Sequence, residues 1–243
     1  MTFQILKECK DLLLGKLGIA VVLSYLVLVN VLVWIWPGWS YPSYGIGTPD
    51  VFFQISFYVL LFVTPGIAVG TLSNEFSSRT IELLAGLPTG WSKILGAKFI
   101  AGLVVLSIMI LLTTPSLYVV YELHTTDTSP QSYQIIGSFV GLLLTGGFIL
   151  ALGLFTTCLV KKDIIAFIIT IVVGYVLFDG LATLSGIESL PASISTALDY
   201  LSIQYHVANF SRGLITLSNI VYIASLTYFF FLLSKWIITH RLQ

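Results

Sequence analysis

The chain has 243 residues, 57% of them hydrophobic and 9% charged, against roughly 25% charged in an average soluble domain. With a mean hydropathy of +0.99, this composition excludes an ordinary soluble globular fold. Eleven lysines and arginines balance eleven aspartates and glutamates, so there is no basic surplus to hold phosphate backbones and no case for nucleic-acid binding.

Crossing a hydrocarbon core takes about 20 consecutive, mostly apolar residues. Six stretches qualify: 17–36, 51–72, 94–121, 133–160, 164–183 and 214–236. The longest gap between them, 184–213, is itself rich in leucine and isoleucine and too short for an independent core. The expected fold is therefore all-α and integral to the membrane, with residues 1–243 forming one domain without a linker.

In chain order, Phe3, Leu6, Cys9, Leu13 and Leu17 fall at helical spacing, while Gln4, Lys7, Glu8, Lys10 and Asp11 take the other face. This pattern predicts an interfacial helix over 2–15; a helical extension of the first span is the alternative. No small-residue cleavage site follows the first apolar run, so it is expected to be a span rather than a signal peptide. Trp34, Trp36, Trp39, Tyr41 and Tyr44 crowd its far end as an aromatic belt. Cys9 and Cys158 have no second thiol or histidine at metal spacing and are expected to be free thiols.

Between the second and third spans, Glu75, Arg79 and Glu82 are three to four residues apart and can align on one helix face, with Phe76, Thr80, Leu83 and Leu84 on another. Pro88 and Gly90 end the pattern. A short amphipathic helix here could fit a cleft in a partner; packing on its own domain is the alternative. Pro65 and Pro115 are predicted to kink their spans. Gly137, Gly141, Gly146, Gly147 and Gly153 would allow close helix contact, across a dimer or within the chain.

Asp179 is the one acid inside an apolar stretch, about 22 Å along the fifth span at 1.5 Å per residue, which places it near the outer interface. Leu184, Ile187, Leu190, Ile194, Leu198 and Leu201 then repeat at threes and fours and predict an apolar helical stripe at the outer surface. His206 is a candidate for pH sensing or partner binding there, with a satisfied structural histidine as the alternative. Lys7, Lys10, Lys16, Arg79, Lys93, Lys98, Lys161, Lys162, Lys235 and Arg241 fall on one side of the six-span arrangement, with Lys98 within snorkelling reach of it; Arg212 alone falls on the other. This asymmetry predicts cytoplasmic termini.

Catalytic motifs are missing: the chain contains no G-x-x-x-x-G-K-[ST], no H-E-x-x-H and no G-x-S-x-G. His124, His206 and His240 fall on two sides of the predicted membrane and cannot share a metal. An enzyme is not expected, and a secondary transporter or channel would need more mid-membrane polar groups.

Several fragments, in order, resemble the type-2 ABC transporter permeases. They are Lys7-Glu8; Thr64-Pro65-Gly66-Ile67; the E-F-S-S-R-T-I-E-L-L run from Glu75 to Leu84, followed by Leu87-Pro88; and Gly96-Ala97-Lys98-Phe99. Gly153 to Thr157 with Ile165-Ala166-Phe167 also fits. Tyr205-His206 with Ser211-Arg212-Gly213-Leu214-Ile215 narrows the likeness to the gliding-motility-associated permease subunits of Bacteroidota. Departures are Arg79, where glycine is common, and Thr216 and Ser218, where acids are usual.

The resemblance implies six transmembrane helices with an N-terminal interfacial helix, a cytoplasmic coupling helix and short outer re-entrant helices, in a bacterial cytoplasmic membrane. ATP and magnesium would be bound by a separate cytoplasmic ABC ATPase, with no cofactor in this chain. Glu75, Phe76, Arg79, Thr80, Glu82 and Leu84 would contact that ATPase, and Asp179, His206 and Arg212 would belong to an outer site or pathway. A second permease copy, or an auxiliary membrane subunit with a periplasmic domain, would complete the complex. A non-transporting anchor or mechanical element shares all these motifs and stays open.

Overall fold

The computed structural model describes residues 2–36, 49–77, 90–122, 132–160, 162–187 and 190–241. Every regular element among them is helical: α1 Thr2–Leu14, α2 Lys16–Trp34, α3 Pro49–Ser77, α4 Trp91–Leu111, α5 Thr114–Glu122, α6 Ser132–Leu159, α7 Asp163–Tyr175, α8 Leu181–Ser185, α9 Ala192–Leu201, α10 Ile203–Ser211 and α11 Leu217–Arg241. A π-helical turn, Val176–Gly180, joins α7 to α8.

Among the described residues, five helical stretches are long and apolar enough to cross a membrane: Val51–Leu72, Trp91–Val119, Gln134–Leu159, Asp163–Ser185 and Leu217–His240. A sixth qualifies if Ile5–Leu14 and Gly18–Trp34, bent by 59° to one another, count as one. Phe62, Ile168, Val172, Phe229 and Trp236 are each more than half exposed. So much exposed apolar surface suits lipid rather than water, and the chain is a multi-pass membrane protein.

In lipid every backbone polar group must be satisfied within the protein, which suits helices, and helices associate by close packing rather than by escape from water. The centre of that packing is α6, which contacts α3, α4, α7, α10 and α11. The fraction buried falls from 72% in Val51–Leu72 to 11% in Leu217–His240, so α3 is interior and α11 is peripheral. Close approach explains the glycines of α6. A Cβ at Gly153 would lie 2.5 Å from that of Ala68 in α3, and one at Gly137 would meet the Phe210 carbonyl in α10. Gly141, Gly146 and Gly147 likewise face Phe210, Leu106 and Leu103. All five serve packing within the chain.

Thr156 in α6 and Thr170 in α7 join their hydroxyls at 2.6 Å, and both are buried. Thr156 belongs to the Gly153–Thr157 fragment singled out in the sequence, and Thr170 lies just beyond Ile165-Ala166-Phe167. Such interhelical bonds in a membrane average roughly 0.6 kcal/mol.

Several sequence expectations need revision. At Pro115 the third span is interrupted rather than smoothly helical: α4 ends at Leu111 and Pro115 sits in the first turn of α5, where its missing N–H has no helical partner to lose, while Trp91–Val119 still runs as one stretch. Pro65, by contrast, lies inside α3, which continues past it. The stripe from Leu184 to Leu201 is not one helix. Gly186 ends α8 and Pro191, which has no N–H to give a helix interior, caps α9. Its side chains Leu184, Ile187, Ile194 and Leu201 are exposed. The last helix starts at Leu217 rather than 214, because Gly213 at φ 79° turns the chain before it.

Gly153→Ala is expected to lower thermal stability in detergent by about 1–3 kcal/mol, since a methyl group cannot yield to Ala68. Gly147→Ala meets only a flexible Leu103 methyl at 3.2 Å and should melt close to the parent protein. Equal melting temperatures for the two variants would show that α6 is not held against α3 as described.

Candidate functional site

Polar groups collect at two opposite ends of the helices. Gln54 and Thr71 mark these ends on α3, and 17 residues of helix separate them by about 25 Å.

At the Thr71 end, Lys98 is buried in α4, its side chain only 1% exposed. Its ammonium donates to Glu8 Oε1 and Oε2, at 3.3 and 3.2 Å, and to the Thr71 carbonyl at 3.1 Å. Lys98 therefore does not snorkel to water. The anion comes to it on α1, so Glu8 belongs to the face turned to the other helices, whereas Leu6, on the apolar face expected to meet the membrane, is 68% exposed. The elbow between α1 and α2 depends on two glycines: side chains at Gly15 and Gly18 would strike the carbonyls of Asp11 and Leu12. α1 does not continue α2 in a straight line but meets it at 59°.

At the other end, a cavity of about 340 Å³ opens between α3, α6, the π-helical turn and α10. Gln54, Gln134 and Gln204 line it together with Tyr58, Ser211 and Arg212; Phe57, Phe178 and Val207 form its buried base. Gln54 and Tyr58, four residues apart, share one face of α3, as Gln204 and Ser211 share one face of α10. The Tyr58 hydroxyl donates to Asp179 Oδ2 at 3.0 Å. Asp179 lies in the π-helical turn, a rare distortion that is frequent at functional sites. Three carboxamides, a hydroxyl, a phenol and a guanidinium can donate to and accept from a polar ligand.

Two of the three outer candidates meet here: Arg212 lines the cavity and Asp179 holds Tyr58 on its wall. His206 does not line it. Fully buried, it bonds Asn219 Oδ1 through Nδ1 at 2.8 Å and the Tyr200 carbonyl through Nε2 at 3.0 Å. Its ring stacks on Tyr222 at 4.1 Å, and the Tyr222 hydroxyl donates to the Leu201 carbonyl at 2.6 Å. His206 thus ties α9, α10 and α11 together.

The expected ATPase contact lies mostly outside the described residues. Glu75 and Phe76 are in the last turn of α3 with side chains outside the description, and Arg79, Thr80, Glu82 and Leu84 lie wholly outside it. Sequence reasoning missed Gln54, Tyr58, Gln134, Gln204 and the Glu8–Lys98 pair. The available signal was the four-residue spacing of polar groups near span ends.

Glu8→Gln should cost more stability than Lys98→Met. The first leaves a buried ammonium without its carboxylate, for which breaking a buried pair costs roughly 3–5 kcal/mol; the second leaves a carboxylate already 24% exposed, which water can solvate. Thermal unfolding of the two purified variants checks the order, and Lys98→Met as the less stable variant would contradict it. Compared with known proteins, the chain matches no family model and no curated protein.

Proposed function

We propose that this chain is the membrane-spanning subunit of an export-type ABC transporter in the bacterial cytoplasmic membrane. It would cross six times with both termini in the cytoplasm and pair with a second copy or an auxiliary membrane subunit. ATP and magnesium are bound by a separate ATPase, and gliding motility is the process the resemblance suggests.

The supporting observation is the ion pair. Glu8 and Lys98 come from two of the fragments that resemble the permease family, and in space they hold α1 to the N-terminal part of α4. A separate, amphipathic α1 fastened in this way moves with α4 as one body. An ATPase pressing on the neighbouring segment around Glu75, Arg79, Thr80 and Glu82 would then tilt spans rather than fold a loop. The ten-to-one division of cations supports the orientation, and the missing P-loop motif fits ATP hydrolysis by another chain.

In this reading the outer cavity lies at the far end of the moving helices, and Arg212 supplies its cation. Replacing Glu75 and Glu82 together by alanine should sharply reduce recovery of the ATPase with the tagged chain, or leave the complex intact while uncoupling ATP turnover. An unchanged complex with unchanged turnover would sink the proposal.

A further inference from the structure

We propose that the cleft at the α1–α2 elbow is a binding site for one phospholipid, with its phosphate at Lys7 and Lys16 and an acyl chain along the floor. The cleft has a volume of about 420 Å³ and lies between α1, α2, α3 and α4. Its mouth carries Lys7, Asp11 and Lys16, all exposed. Its floor is apolar: Ile67 and Val105 are buried, and Leu12 and Val21 are half-buried. The Glu8–Lys98 pair neutralises itself on one wall, leaving the mouth two cations and one anion.

That order of chemistry, charge outside and hydrocarbon inside, is the order of a phospholipid at a membrane surface. Lysines at headgroup depth attract phosphate, while Asp11 offers a carboxylate to an ethanolamine ammonium. A soluble anion would use the mouth but gain nothing from the floor.

Glycines keep the floor open. Gly66 and Gly70 line the α3 side, and a Cβ at Gly66 would meet only a Val21 methyl at 3.5 Å. The helix wall there has room for a side chain and carries none. Gly15 and Gly18, which permit the elbow, line the opposite side. The bend therefore creates the cleft, and the ion pair keeps α1 over it. The inference is independent of the transporter reading, since any protein with this elbow would offer the same seat.

The test is native mass spectrometry of the full chain, purified in mild detergent and titrated with phosphatidylethanolamine or phosphatidylglycerol. One retained phospholipid per chain is expected, with phosphatidylethanolamine held more strongly. Removing each cation in Lys7→Gln and Lys16→Gln should weaken retention about fivefold, the size expected for a basic side chain at a headgroup surface. Gly66→Leu, which fills the floor, should abolish it, and Lys235→Gln, a distant exposed lysine, should leave it unchanged. Thermal unfolding of each variant separates loss of the lipid from loss of the fold, and the lysine variants carry the test if Gly66→Leu does not fold. Equal retention across all variants would mean ordinary annular lipid and overturn the proposal. Displacement of the lipid by inorganic phosphate alone would overturn it in favour of a simple anion site.

Discussion

Moving an ammonium ion out of water costs several kcal/mol even after the protein relaxes, and Lys98 carries one on a side chain with almost no exposure. An anion within reach is therefore a requirement of the fold. Glu8 supplies it from a different helix, and the Thr71 carbonyl accepts a hydrogen bond from another N–H of the ammonium. This three-way contact binds α1, α3 and α4. It determines which face of α1 turns inward, and so why a glutamate is sheltered while Leu6 is not. The elbow and the cleft beneath it follow from that orientation.

Elsewhere the fold relies on shape. Lipid gives apolar helices little reason to prefer each other over acyl chains, so contact must be close enough for dispersion forces to decide. Gly153 against Ala68 and Gly137 against Phe210 show α6 approaching its neighbours more closely than a methyl group would permit. At the end opposite Lys98, the buried His206 has the corresponding role, with both ring nitrogens bonded and one face stacked on Tyr222. Polar knots thus fasten the two ends, and small residues fasten α6 along its length. The peripheral α11 is anchored through Asn219 and Tyr222 near its start and packs one side along α6, with Phe230 against Phe148 and Phe155.

The apolar spans were legible in the sequence because length and hydropathy are local properties. The separate N-terminal helix was legible too, from the spacing of Phe3 through Leu17. What periodicity cannot show is which distant residue meets which. Glu8 and Lys98 are 90 positions apart, and Tyr58 and Asp179 are 121 apart. Seen alone, Lys98 resembles a snorkelling lysine and Glu8 a solvated one. The apolar repeat from Leu184 to Leu201 misled for another reason: its spacing survives Gly186 and Pro191, but a helix does not. Asp179 stood out as an acid in an apolar run, yet the distortion that carries it has no periodic signature.

The proposed function requires the ion-pair elbow and the glutamine-lined cavity to lie on opposite faces of one membrane, the elbow inside. Single cysteines at two exposed positions, Ser92→Cys beside the elbow end and Thr216→Cys beside the cavity end, test it in a Cys9→Ser background with a membrane-impermeant maleimide applied to spheroplasts. Thr216→Cys should label in intact spheroplasts and Ser92→Cys only after permeabilisation. Labelling of both cysteines from the same side, or of Ser92→Cys alone from outside, would contradict the account.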